Sequence, residues 1–254
     1  MSPQAPLFEL LEHTVGFAFH SINPLLSEWV ACWNGSDPLL DIGCGNCINA
    51  LKGIEAGAKV LATELDSNAL KQLEQDYPDE NNLSFAYLEL PDKIPCEGES
   101  VSGLLCSEVF HFMDHEEIQA SIHEFHRVLV KGGKVILTCA SEDIAMLGPV
   151  GLKEIRRSQR EAFPQLLRAY HDPLELIEQA CRLKPSDHFA WELIQQHHSI
   201  YPKNYFNFFH PGQLAEAFRD KGFSITLAET GPAPYYPLWE HGDHDQVRVI
   251  AVKE

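Results

Sequence analysis

Between residues 38 and 140 short apolar runs alternate with amphipathic ones, the pattern of an α/β sheet domain. The runs PLLDI (38–42), KVLATE (59–64), LSFAYL (83–88), VSGLLCS (101–107) and KVILTCA (134–140) predict strands. The clearest helix runs from about 115 to 130, with Ile118, Ile122, Phe125 and Val128 on one face. Asp114 and Glu117 have the form of a capping box at its start. Lys131-Gly132-Gly133 places a basic residue and glycines where a helix ends. The segment 68–77 is also helical in pattern, with Leu70, Leu73 and Tyr77 on one side.

The pattern changes over 141–206, where helical stretches are punctuated by Pro149, Pro164, Pro173, Pro185 and Pro202 and no strand is legible. PGQLAEAFRDKGF then reads as a helix opened by Pro211 and closed by Gly222. Two further strands follow, FSITLAE (223–229) and QVRVIAV (246–252). The segment 141–206 is thus an insertion into a sheet domain, 36–140 with 207–254, preceded by an N-terminal helical segment over 1–35.

Composition narrows the partners. The 254 residues are 44% hydrophobic, enough for a sizeable core and incompatible with global disorder. Lys and Arg total 19 against 37 Asp and Glu, a net charge of −18, which repels nucleic acids and anionic membrane surfaces as main partners. No apolar stretch approaches the roughly 18 residues of a membrane span. The N-terminus MSPQAPLFELLEH lacks early basic residues and carries Glu9 and Glu12, unlike a signal peptide. Seven scattered cysteines read as reduced thiols in a cytoplasmic compartment.

The motif richest in chemistry is LLDIGCGNC. A buried strand ends in Asp41, and Gly43 and Gly45 turn the chain into a helix whose free N–H groups suit a carboxylate or phosphate. The dinucleotide fingerprint G-x-G-x-x-G fails because Ile48 holds its third glycine position. Glu64, 19 residues after Gly45 and at the end of the next strand, is placed to accept both hydroxyls of a ribose.

Four segments in this order, LLDIGCGNC, VLATELDSNAL, LCSEVFHFM and HEFHRVLVKGGKVILT, resemble the class I S-adenosylmethionine-dependent methyltransferases, especially the small-molecule group. The resemblance covers about 36–140 well and 207–254 loosely. It implies a doubly wound, seven-stranded Rossmann-like sheet that binds S-adenosylmethionine, an antiparallel strand near one edge, and a helical lid over 141–206. Under it Asp41, Gly43 and Gly45 line the methionine half of the cofactor. Glu64 holds the ribose and Leu65 packs on the adenine face. Glu89, with Leu90 beside it, meets the adenine amino group, and Ser107 and Glu108 border the methyl group. The chain departs from the family at Cys47, in place of a common third glycine, at Glu89 and at Ser102, both where Asp is usual. The implied reaction is methyl transfer to O, N or S of a small-molecule acceptor.

Each assignment has a plainer rival. For Glu64 the rival is a cap on the next helix, which its place in the ordered set of motifs outweighs; for Glu89 a solvated loop carboxylate stands level with the adenine contact. Cys44 and Cys47 form a C-x-x-C, but no second pair completes a zinc site, so they read as free thiols. His241, Asp243, His244 and Asp245 read as a polar turn more readily than as metal ligands. His111, four residues past Ser107, is the candidate general base, or else only shapes the pocket. Residues 151–170 carry a net charge of +3, a candidate carboxylate or phosphate contact or a solvated face. The aromatic run around Trp191, Tyr201, Tyr205, Phe206, Phe208 and Phe209 is expected to pack on the sheet and in part to touch substrate. A non-catalytic cofactor-binding protein and an NAD-dependent oxidoreductase are the competing functions.

Overall fold

The computed structural model describes residues 8–10, 17–167, 169–170, 173–183, 206–233, 235–236 and 241–254. The chain begins with an antiparallel pair, β1 (Phe8–Leu10) and β2 (Phe17–Phe19), and a short helix, α1 (Leu26–Val30). The expected helical segment over 1–35 is corrected here, because tertiary contacts hold 17–19 extended. Ala18 is buried against Gly45, and the Phe19 ring packs on Tyr235 and Tyr236.

Strands β3 (Leu39–Ile42), β4 (Val60–Glu64), β5 (Leu83–Tyr87), β6 (Val101–Ser107) and β7 (Leu129–Ala140) pair in parallel. Helices α2 (Ile48–Glu55), α3 (Ser67–Asp76) and α4 (His115–Val128) connect them. The insertion holds α5 (Leu152–Ala162), the two-residue strand β8 (Ala169–Tyr170) and α6 (Pro173–Leu183); β8 pairs with β9 (Phe206–Asn207), and α7 (Pro211–Arg219) follows. Strands β10 (Phe223–Gly231) and β11 (Gln246–Lys253) complete one seven-stranded sheet, in the order β10-β11-β7-β6-β3-β4-β5. Only β11 runs against its neighbours, β7 and β10. This is the doubly wound sheet that the sequence implied.

Alternation along the strands divides the core between two faces. Leu40, Leu104, Leu137 and Val249 face Phe125 of α4 and Phe218 of α7. Leu39, Leu105, Ile136 and Ile250 face Trp29 of α1 and Ala50 of α2. The capping box of α4 is complete: the Glu117 amide donates to Asp114 Oδ1 at 2.9 Å, and the Asp114 amide to Glu117 Oε2 at 2.8 Å.

Two expectations shift. Helix α4 stops at Val128, and β7 begins at once, so that Lys131-Gly132-Gly133 lies inside the strand as an irregularity of its pairing with β6. Gly133 makes this possible, since a Cβ there would lie 2.9 Å from the Val130 carbonyl oxygen and 3.1 Å from that of Ser102. In 141–206 a short strand, β8, accompanies the helices. A third cluster, with Ile144, Leu147, Leu152 and Leu176, gathers beside Ala140 at the carboxyl end of β7, together with Phe208, Tyr235 and Tyr236. No helix among the described residues is long and apolar enough to cross a membrane.

Candidate active site

The turn after β3 is built by its neighbours. The amides of Gly43 and Cys44 donate to the Thr63 carbonyl of β4 at 2.9 and 3.0 Å. Gly43 has φ +68°, and a Cβ on it would meet Val109 Cγ2 at 2.8 Å, so the end of β6 presses directly on the turn. Cys47, the N-cap of α2, has φ 60°. The third position keeps the left-handed backbone that glycine usually takes, although its side chain is sulfur. Cys44 Sγ and Cys47 Sγ are 3.5 Å apart and both are free thiols. That contact, with burial, raises the Cys44 pKa.

Two buried carboxylates flank this turn. Glu64, at the end of β4, accepts from the Gly45 amide at 3.1 Å and the Leu65 amide at 2.7 Å. These bonds restrain a pKa that burial raises. Capping of α3 falls instead to Asp66, which accepts from the Asn68 and Ala69 amides. Glu64 is thereby left for another partner, with lone pairs to spare beyond the two amides. Asp41 is 1% exposed and its Oδ2 has no hydrogen-bond partner. Burial, reinforced by the Glu64 charge, pushes its pKa up to about 7. A buried polar atom left unsatisfied is costly, and a ligand with a donor above the glycine turn would repair it.

Beside the turn, β6 ends in Ser107, and Glu108 follows it. Ser107 Oγ lies 3.2 Å from Thr138 Oγ1, and the side-chain amide of buried Asn23 donates to both at 3.0 Å. Glu108 has φ 59° and its amide donates to the Thr138 carbonyl at 2.8 Å. Its carboxylate accepts from the hydroxyls of Tyr235 and Tyr236 and, at 2.6 Å, from the Gln246 amide. Burial raises the Glu108 pKa against the pull of these donors. Asn23, Tyr235, Tyr236 and Gln246 were missed in the sequence. They lie far along the chain from the motif they complete, and the adjacent tyrosines were the single local signal.

His111 sits in the 3-10 turn Phe110–Phe112 and is buried. Its ring stacks on Phe206, centroids 4.3 Å apart, and meets Phe112 edge-on. Nδ1 accepts the Ala140 amide at 3.4 Å, which leaves the ring proton on Nε2. Burial lowers its pKa to about 3. A ring so enclosed is a weak proton acceptor, so the geometry favours a wall of the pocket over a base.

The remaining candidates spread outward. Leu65 is 40% exposed beside Glu64, an apolar surface open to a flat ligand. Glu89 is exposed and accepts from Tyr87 Oη at 3.0 Å, and Leu90 is half-buried next to it. Ser102, where the family often has Asp, donates to the Asp37 carbonyl at 2.8 Å. In the insertion, Lys153 pairs with Asp143 and Arg160 with Glu142, so part of the positive charge is neutralised within the chain. Arg168, Trp191, Tyr201 and Tyr205 lie outside the described residues. Among the described residues no three His, Cys, Asp or Glu gather as for a metal ion. His244 bonds Thr230, while Asp245 accepts from the Ala145 and Gly242 amides.

Residues 40–137 match the sequence model of a family described as a methyltransferase domain. Among solved structures, the chain is similar to an S-adenosylmethionine-dependent methyltransferase from Methanosarcina mazei, with 14% identity over 91% of this chain and 97% of that one and a TM-score of 0.61. One from Mesorhizobium loti gives 15% identity, coverage of 91% and 96%, and a TM-score of 0.56. The 1,6-didemethyltoxoflavin-N1-methyltransferase of Burkholderia thailandensis, solved with 1,6-didemethyltoxoflavin and S-adenosylhomocysteine, gives 16% identity, coverage of 91% and 77%, and a TM-score of 0.57. No curated protein matches the chain in sequence. The chain carries a methyltransferase domain over 40–137 and has the fold of class I S-adenosylmethionine-dependent methyltransferases.

Proposed function

We propose that this methyltransferase domain takes its methyl group from S-adenosylmethionine and passes it to O, N or S of a small-molecule acceptor. The observation that carries the reading is the pair of buried carboxylates at one glycine turn, Glu64 anchored by two amides and Asp41 with an unsatisfied oxygen. Glu64 fits the two hydroxyls of a ribose and Asp41 a donor on the amino-acid half, with Gly43 and Gly45 turning the backbone between them at positive φ. Leu65 supplies an apolar face for an adenine, and Glu89 and Leu90 stand at its rim. Ser107 borders the methyl end.

Bound there, the cofactor supplies an electrophilic methyl on a sulfonium. The chain's own part is to fix both reactants in line and keep water out, and orientation of that kind is worth effective molarities of about 10⁵ M or more. In this reading 36–140 with 207–254 bind the cofactor and 141–206 cover the acceptor. A small acceptor is supported by the enclosed aromatic surroundings of His111 and by the Burkholderia structure, whose substrate is small. Free thiols at Cys32, Cys44, Cys47, Cys96, Cys106 and Cys139 support a cytoplasmic setting.

Calorimetry with S-adenosylhomocysteine and NAD tests the reading. Saturable binding of the first alone is expected, followed by acceptor-dependent transfer of labelled methyl. Absence of S-adenosylhomocysteine binding overturns it. Tight binding without transfer to any acceptor class would leave a cofactor-binding protein.

A further inference from the structure

Glu108 is a buried carboxylate whose hydrogen-bond partners are neutral: the hydroxyls of Tyr235, Tyr236 and Thr138 and the Gln246 amide. Among the described residues no Lys or Arg pairs with it. His111 Nδ1 is 3.8 Å away, but the ring is enclosed and accepts the Ala140 amide through that same atom. Arg248, the cation behind the cluster, is turned to Gln246 Oε1 at 3.1 Å and the Pro232 carbonyl at 2.7 Å. A carboxylate buried without a counter-charge is costly to ionise, and the neutral donors around Glu108 leave that counter-charge to be supplied by a ligand.

Three rings pack on one another at this carboxylate. Phe19 lies 5.1 Å from Tyr235 and 5.6 Å from Tyr236, centroid to centroid, and the tyrosines are 5.4 Å apart. Aromatic faces attract cations, most strongly where water is excluded. Val109, the next residue, touches the glycine turn, so this group adjoins the proposed methyl end.

We propose that Glu108, with the rings of Phe19, Tyr235 and Tyr236, recognises an ammonium group on the small-molecule acceptor. The inference rests on the methyltransferase reading above and adds the substrate class. Carboxylate and phosphate acceptors meet the wrong charge at Glu108 and in the field of a chain of net charge −18. The buried charge thus selects by sign, and the rings select for a group that tolerates a dry aromatic wall.

The test uses protein saturated with S-adenosylhomocysteine and three probes of one shape: phenethylamine, 2-phenylethanol and 3-phenylpropionate. Phenethylamine is expected to bind at least about tenfold tighter than the others, and Glu108→Gln, measured at its own saturating S-adenosylhomocysteine, to lose that preference. If Glu108→Gln does not fold, Phe19→Leu replaces it, with amine affinity falling about three- to tenfold and the alcohol unaffected. Equal binding of the probes, no amine binding, or an amine preference unchanged by either variant overturns the proposal. Protein that never takes up S-adenosylhomocysteine overturns the methyltransferase reading instead, so the two failures are distinct.

Discussion

The Asn23 side-chain amide donates to Ser107 Oγ at 3.0 Å although 84 residues separate them in sequence. The same amide reaches Thr138 Oγ1, the Asn23 backbone N–H donates to Asn49 Oδ1 at 2.8 Å, and Asn23 Oδ1 accepts the Leu25 amide at 2.8 Å. One buried residue therefore joins β6, β7 and α2 above the carboxyl ends of the strands. Asn23→Ala should destabilise the protein by about 1–3 kcal/mol, because it strips partners from several enclosed groups at once. Urea unfolding measures this, and a loss below about 0.5 kcal/mol would show that the bridge contributes little.

Glu64→Ala removes the carboxylate from the Gly45 and Leu65 amides and from any ribose. S-adenosylhomocysteine affinity should weaken by about 1.5–3 kcal/mol, the scale of hydrogen bonds to a charged group. Unchanged affinity in calorimetry would sink the ribose assignment.

Asp41 links stability to pH with a definite sign. Its folded pKa, about 7, lies above the unfolded value of 3.8, so the ligand-free folded state binds the extra proton between those limits. The stability that this proton confers is present below about 3.8 and lost as pH rises through about 7. Asp41→Asn should therefore stabilise the ligand-free protein at pH 8, by about 1 kcal/mol or more, with the gain shrinking toward pH 4. The same variant should bind S-adenosylhomocysteine less well. A gain that is equal at pH 8 and pH 4 would contradict the buried-carboxylate account.

His111 has the opposite sign. Its folded pKa, about 3, lies below the unfolded 6.5, so only the unfolded chain takes the proton in that window. The stability of the neutral ring is intact above about 6.5 and falls as pH drops toward 3, by about 1.4 kcal/mol per unit. His111→Phe, which keeps the stack on Phe206, should lessen that acid sensitivity. The pH profile of kcat should show no His111-dependent step between pH 5.5 and 7.5. Such a step, lost in the variant, would restore the base assignment.

The residues differ in how legible they were before folding. Strand β6 coincides with VSGLLCS because all its neighbours are core, and local apolarity then decides. The start of β7 was hidden. A glycine pair after a helix reads as a stop, whereas here the missing Cβ of Gly133 lets the strand approach the Ser102 carbonyl. The two-residue pairing of β8 with β9 is too short to leave a period. In the site, Asp41, Gly43, Gly45 and Glu64 stand together because one strand–turn–helix–strand unit delivers them. Gln246 and Tyr236 reach Glu108 only after β10 and β11 have folded back, and no local pattern records that return.

The placement of β11 also governs the order in which the protein is made. Its partners on β7, from Val135 to Ala140, emerge from the ribosome long before Gln246–Ala251, with the whole insertion synthesised in between. Until then β7 presents an open hydrogen-bonding edge, and Val135, Leu137 and Cys139 wait for Val247, Val249 and Ala251 to join them in the core. The nascent sheet is vulnerable to strand pairing with other chains throughout that interval. Closure of the sheet and completion of the Glu108 cluster come with the same segment, since Gln246 is both the first residue of β11 and a donor to that carboxylate. A chain halted before it would present the glycine turn without the finished acceptor side.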